Sequence, residues 1–546
     1  MLKRLALWSL PLLVIGVLFY WPMSVVLSRG LFGSWWATLV ERQVGGALWF
    51  TLWQSVASML ACTALGLPMA YVLYRRRLRF AKYLRAILTV PFALPTIITA
   101  IGFTVFQHQH VLFANAGVAA LFENPIFWII SAHVFVNLSV IIRTVGVAWA
   151  TLPRATEEAA ALGGAGRFRI FWSISLPQLA PSLRSAMSTI FLYCTASYGL
   201  VLVLGGGLVN SVETEIAYAA NVRLDLQEAS ALAVLQTLIS IFAFTMSSIG
   251  GGSSIGFEVH DPTHDQSPLD KRDWPVIAVT GFGLLAILSP LAFILWRSFT
   301  DNDGNYTLAN FTDLGSHGER NLLNITLEQA ALNSLRNVAV AATMATLVGC
   351  VIAYLLSRPT PRKHVRFMNR TLDILFMLPL GVSTIVLGFG YLLTFGSGPL
   401  PLRGSWLVVP LIQGLMALPL VIRIVYPAFQ KASEELREQS ATDGAGPFAT
   451  FLNVELPIVQ MSIGAALGYA AIVSVGEFGA ASLLAYGSQA TLPTVLYQLI
   501  SRPGGNNYGM AMAMSAIVIA ITFTVVLLAS AAPENQHHEH RQKAAF

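Results

Sequence analysis

Long apolar runs separated by short polar stretches dominate the chain. Windows of about 20 predominantly apolar residues, the length a membrane-crossing helix needs, fall at roughly 5–26, 47–73, 84–106, 126–149, 178–204, 229–250, 274–296, 331–357, 371–395, 405–427, 460–486 and 510–531. These twelve runs predict twelve transmembrane helices and an all-α integral membrane protein. The first run follows Met1-Leu-Lys3-Arg4, as a secretory leader would. It is long and no clear cleavage site follows, so a retained helix is expected. Pro91, Pro95 and Pro379 fall inside apolar runs and are expected kinks.

The pattern repeats. Pro91, Thr96, Ile97 and Gly102 recur as Pro379, Thr384, Ile385 and Gly390. Ala70-Tyr71 recurs as Ala353-Tyr354, Arg143 as Arg423, and Tyr198-Gly199 as Phe478-Gly479. Six runs therefore form a unit that is used twice in the same orientation, a parallel repeat. The expected division is a first transmembrane domain at 1–255, a cytoplasmic linker at 256–272 in a Gly-, Ser-, Asp- and Pro-rich stretch, and a second domain at 273–546.

Charge orients the runs. Arg75, Arg76, Arg77, Arg79, Lys82 and Arg85 crowd one short loop, and Arg358, Arg362, Lys363, Arg366 and Arg370 its counterpart. The loop at 298–330 instead carries Asp301, Asp303, Asp313 and Glu319 with one Arg320. Basic loops face the cytoplasm, so both termini are expected inside. Of the 546 residues 55% are hydrophobic and only 11% charged, which excludes an ordinary soluble domain. The net charge of +6 resides in these loops and does not point to nucleic acid. Cys62, Cys194 and Cys350 lie in apolar runs without metal-ligand spacing, and no metal site is expected. His537-His-Glu-His540 reads as a solvated tail, and the Asn-x-Thr triplets at Asn305, Asn310 and Asn324 as polar loop residues.

Two polar stretches stand out near 150–177 and 430–457. In the first, Glu158-Ala159-Ala160 leads to Gly164, then Ile174, Leu176 and Pro177. In the second, Glu438 leads to Gly444, then Val454, Leu456 and Pro457 at the same spacing. Each predicts a short helix, a turn in which glycine supplies backbone angles other residues avoid, and a second helix feeding the next span. Both fall on the cytoplasmic side and suit a two-fold partner.

This spacing resembles the signature loop of ATP-binding-cassette importer permeases of the type I fold. The first copy meets the family pattern fully. The second has Gln439-Ser440 in place of Ala-Ala and Val454 in place of Ile. The resemblance implies that each hairpin carries a coupling helix seated on an ATPase subunit, hence two ATPase copies. It also implies a periplasmic substrate-binding protein on the outward loops at about 205–228, 298–330 and 487–508, and a bacterial inner membrane. No phosphate-cradling Gly-x4-Gly-Lys loop occurs, so the chain is expected to hold no cofactor and to be no enzyme; ATP and magnesium belong to the partner. Fused chains of this length resemble permeases for thiamine and for ferric iron. Leu204-Gly-Gly-Gly207, Glu213–Tyr218, Ser474–Gly479 and Thr491–Gln498 look most like the thiamine permeases.

Glu477 nearly stands alone as an ionisable group in an apolar run, which by default suggests function. With Phe478, and with Ser197 and Tyr198 at the matching position, it is the candidate lining of a translocation path, where a carboxylate beside aromatics suits a cation. The alternative role is a local tie to a hydroxyl or backbone group. His133 and Asn137 are expected to hydrogen-bond between helices. A secondary transporter with two six-helix halves is the competing class; it needs neither hairpin and would carry more buried ionisable groups.

Overall fold

The computed structural model describes residues 2–32, 40, 44–108, 122–249, 266–358, 363–396, 402, 404–432, 434–502 and 504–543. Most of the linker, residues 256–265, lies outside them, as do Arg362 and the side chains of Lys3, Arg4, Lys363, His537, His538, His540, Arg541 and Lys543. Most described residues are helical, and the only sheet-like pairings among them are isolated bridges, Arg76 with Ser267 and Thr300 with Tyr306.

Two compact units form, and each draws on both halves of the chain. One comprises Met1–Gly45, Val212–Ile241 and Leu323–Leu496; the other Gly46–Ser211, Phe242–Leu322 and Tyr497–Phe546. The first unit is built on helices Leu327–Leu356, Val408–Lys431 and Leu456–Val475, with Ala345, Ala417, Val421, Phe429 and Ala466 buried among them. Without a hydrophobic drive between helices in lipid, close approach depends on small residues. Gly349 shows this: a Cβ there would lie 2.5 Å from Val421 Cγ1. The second unit repeats the scheme with Gly45–Arg75, Pro125–Thr151 and Leu176–Thr195 around Cys62, Ile141, Val145, Trp149, Ile190 and Cys194. Helices Trp274–Ser298 and Gly505–Lys543 pack into this unit.

Nine helices among the described residues are long and apolar enough to cross a membrane, and three bent pairs raise the total to as many as twelve. The runs at 84–106 and 371–395, where kinks are expected at prolines, are sharply bent. Ala81–Ala93 and Thr96–Thr104 meet at 97°, and Arg366–Gly381 and Thr384–Phe395 at 98°. In the first pair Leu94 is extended (φ −76°, ψ 144°) because the following Pro95 excludes helical angles from it. In the second, Pro379 opens a 3-10 turn and Val382 and Ser383 are both extended. Pro91 lies within its helix and does not break it. The run at 460–486 is interrupted as well, its long helix ending at Val475 and a short one starting at Gly479.

Candidate functional site: two hairpins and two helix breaks

The two glutamate–glycine stretches fold into the same hairpin, one in each unit. Helix Arg154–Leu162 is followed by Gly164 at φ +87°, helix Arg167–Ile170, a π-turn at Phe171–Ser175 and the long helix Leu176–Thr195. Helix Glu434–Thr442 is followed by Gly444 at φ +84°, Pro447–Thr450, a π-turn at Phe451–Glu455 and Leu456–Val475. The turns close identically. Gly164 N–H donates to Ala161 O and Ala165 N–H to Ala160 O, both at 3.0 Å; Gly444 donates to Ala441 O at 3.1 Å and Ala445 to Ser440 O at 3.0 Å. That pair of bonds is the Schellman termination, which requires a left-handed residue where the glycine stands. The Leu-Pro dipeptides also have a local consequence. Leu176 and Leu456 donate back five positions, to Phe171 O and Phe451 O, so each widened turn lies just before a proline that lacks a donor.

Of the motif residues, Glu158, Ala159, Gly164, Pro177, Glu438, Gly444 and Pro457 are exposed. Ala160, Ile174, Leu176, Val454 and Leu456 are half-buried. Large apolar side chains stand out beside them. Leu162 is 91%, Phe168 77% and Trp172 53% exposed; Phe448 is 75% exposed at the position matching Phe168.

Beneath each hairpin lies a cluster that the motif does not include. Arg75 donates to Glu157 Oε2 at 2.6 Å and to Leu152 O at 3.0 Å, while the Ser175 hydroxyl donates to Glu157 Oε1 at 2.8 Å. In the other unit Arg358 donates to Glu455 Oε2 at 2.8 Å. Arg437 Nε lies 2.7 Å from Glu455 Oε1, off the line of a hydrogen bond, so that contact is coulombic; its Nη2 donates to Phe429 O at 3.2 Å. The visible signal in the sequence was the residue directly before each motif glutamate, Glu157 in one copy and Arg437 in the other.

The first hairpin has a second tie. Ser267, at the end of the linker, pairs with the backbone of Arg75 and Arg77. Arg167 bonds Asp270 and, at 3.1 Å, Asp273, which also takes Arg76 at 3.0 Å. The backbone N–H of Arg272 and then the Arg167 guanidinium hold the Asp270 carboxyl below the usual carboxylate range. The position matching Arg167 in the second hairpin is Pro447, which has no such group.

Ser197 with Tyr198, and Glu477 with Phe478, occupy matched helix breaks, one in each unit, and all four are buried. Glu477 caps the helix that follows it: its carboxylate accepts from Ala480 N–H at 2.7 Å and Ala481 N–H at 3.3 Å, and bonds the Thr384 hydroxyl. These contacts tie the carboxylate locally to backbone and hydroxyl. Ser197 Oγ lies 2.6 Å from His133 Nε2, whose Nδ1 lies 3.1 Å from Ser58 Oγ, so His133 links three segments as expected. Glu477 does not stand alone, however. Glu213, bonded by Ser383, and Glu228, bonded by Arg223 at 2.8 Å, are also buried. These acids stand in the first turns of helices Val212–Tyr218 and Leu226–Ile249, outside the apolar windows of the sequence.

Residues 62–250 and 345–533 each match the family model described as binding-protein-dependent transport system inner membrane component. The chain belongs to that family. It is accordingly a permease subunit of an ATP-binding-cassette importer, a multi-pass inner-membrane protein and not itself an enzyme. The permease is 24% identical over 462 residues to the thiamine transport system permease protein ThiP of Brucella abortus, covering 82% of this chain and 81% of that one. To ThiP of Salmonella typhimurium it is 26% identical over 481 residues, 86% of each chain. A putative ferric transport system permease protein of Haemophilus influenzae is 26% identical over 318 residues, 57% of this chain and 49% of that one.

Proposed function

We propose that the permease forms the translocation path for thiamine or its phosphate esters. In this reading a periplasmic binding protein delivers the solute to the loops at about 205–228, 298–330 and 487–508. Two copies of a separate ATPase, each with ATP and magnesium, dock on the hairpins at 150–177 and 430–457. The termini and the basic loops face the cytoplasm, and residues 1–255 and 273–546 are two copies of one ancestral domain joined by a linker at 256–272. The carrying observation for the coupling role is the identical Schellman turn in both hairpins, each presenting exposed apolar side chains. The thiamine assignment is supported by likeness to thiamine permeases over 82–86% of the chain, against 57% for the ferric relative. Glu477, Phe478, Ser197 and Tyr198 are proposed to line the path, where the matched breaks interrupt the helices.

Uptake tests the assignment. Cells lacking this chain are given it back, and radiolabelled thiamine and ferric iron uptake are measured side by side. The expected result is recovery of thiamine uptake alone. Recovery of iron alone would assign the chain to the ferric branch and remove the thiamine reading, leaving the importer reading intact.

A further inference from the structure

Arg75, Glu157 and Ser175 in one half match Arg358, Arg437 and Glu455 in the other: the second and third pairs are 280 residues apart, the first 283, the spacing already kept by Tyr71 and Tyr354 on the same helices. At each matched site one arginine ends or follows a long helix earlier in the chain, Gly45–Arg75 or Leu327–Leu356, the second residue stands on the coupling helix, and the third closes the π-turn leading back into the membrane. The chemistry differs. In the first half the carboxylate is on the coupling helix and a hydroxyl faces it from the π-turn. In the second half the carboxylate has moved to the π-turn, and the coupling helix carries an arginine.

We propose that these are two solutions of one joint, in which a carboxylate held between its neighbours locks both arms of the hairpin to a third helix. They are positioning residues: the joint makes each hairpin move as one body with the spans that follow it. The inference rests on the coupling role proposed above. Its physical basis is burial. An exposed ion pair contributes little, but the Glu455 side chain is 1% exposed between arginines at 14%, and in the first joint Arg75 is 4% exposed against Glu157 at 26%. A buried charge stripped of its partner is strongly destabilising, and each joint holds one, Arg75 in the first and Glu455 in the second, that has to be met. Moving the carboxylate from helix to π-turn keeps the lock only if the helix position changes with it. That is the pattern across the two halves. The Schellman turn alone connects the arms at their tip; the joint connects them at their base.

The test converts one solution into the other. Glu157→Arg alone sets two arginines face to face with no acid. Ser175→Glu alone sets two carboxylates against Arg75. The double variant Glu157→Arg/Ser175→Glu reproduces the second-half arrangement. Radiolabelled thiamine uptake and ATP hydrolysed per thiamine are measured in vesicles holding the complete transporter. Each single variant should lower uptake at least about tenfold and raise ATP spent per solute, and the double should return to within about threefold of the parent. Where a single variant fails to accumulate, the comparison is read in the amount of full-length chain in the membrane, with recovery expected in the double. A double variant as poor as its worse single, or single variants that transport normally, would overturn the joint. Copurification separates the two readings. Loss of the ATPase from the parent chain would sink the coupling role, whereas ATPase retained without rescue in the double would sink only the joint.

Discussion

Gly164 and Gly444 hold φ near +85°, where an L side chain is strained by roughly 1–2 kcal/mol. A Cβ at either position meets nothing within 4 Å, so the strain is confined to the backbone and no packing clash is added. This makes a sharp prediction. Gly164→Val, or better Gly164→Val/Gly444→Val, should lower transport per ATP hydrolysed several-fold, while Gly164→Asn should stay near the parent because asparagine tolerates the left-handed region. Equal loss in the Val and Asn variants, measured in vesicles, would show that the turn geometry is not what matters. The glycines were legible in the sequence because their requirement is local. Glu157, Arg437 and Glu455 were not: their partners lie tens of residues away along the chain, and only the fold reveals that a change at one is answered at another. Glu477 was legible as a costly buried acid, but its capping of Ala480 and Ala481 depends on a helix break that hydropathy does not see.

At the scale of elements, apolar windows located the spans but not their directions. A window sums hydropathy and is blind to a turn of 97° within it. Pro95 carried a signal for the first break; the second falls at Val382–Ser383, beyond Pro379, where no proline follows. The linker is a similar case. Its composition reads as a cytoplasmic linker, yet its described end, Gln266–Arg272, and Asp273 just past it are fastened to the first hairpin through Arg167, Asp270 and Asp273. Arg167→Ala should therefore free the linker end and raise proteolytic cutting near Ser267 in inside-out vesicles, with no such change for the matching Pro447→Ala. Unchanged cutting would mean that the Arg76 contacts and backbone pairing hold the segment without Arg167. With the folded Asp270 carboxyl held below its ordinary value, its tie is fully present above the ordinary aspartate range and is lost only as pH falls below it. The latch should consequently show no pH dependence between about pH 5 and 8.

At the scale of the molecule, repeat and compact unit divide the chain differently. The repeat was legible because duplicated residues keep their spacing. The units were not, because periodicity along a chain does not say which helices pack. Met1–Gly45 and Val212–Ile241 belong to the unit built on the second repeat, and Phe242–Leu322 and Tyr497–Phe546 to that built on the first. In the function proposed above, this permease presents two hairpins on one membrane face, each to its own ATPase. Phe168 and Phe448 occupy matched, exposed positions on those hairpins. The most direct measurement places a single cysteine at each, Phe168→Cys and Phe448→Cys, in a chain whose Cys62, Cys194 and Cys350 have been replaced, and applies a thiol cross-linker to inside-out vesicles containing the transporter. A cross-link from each position to the ATPase subunit is expected, with yields that change on adding ATP. Labelling of either cysteine only from the periplasmic side, or no cross-link to the ATPase from either hairpin, would contradict it.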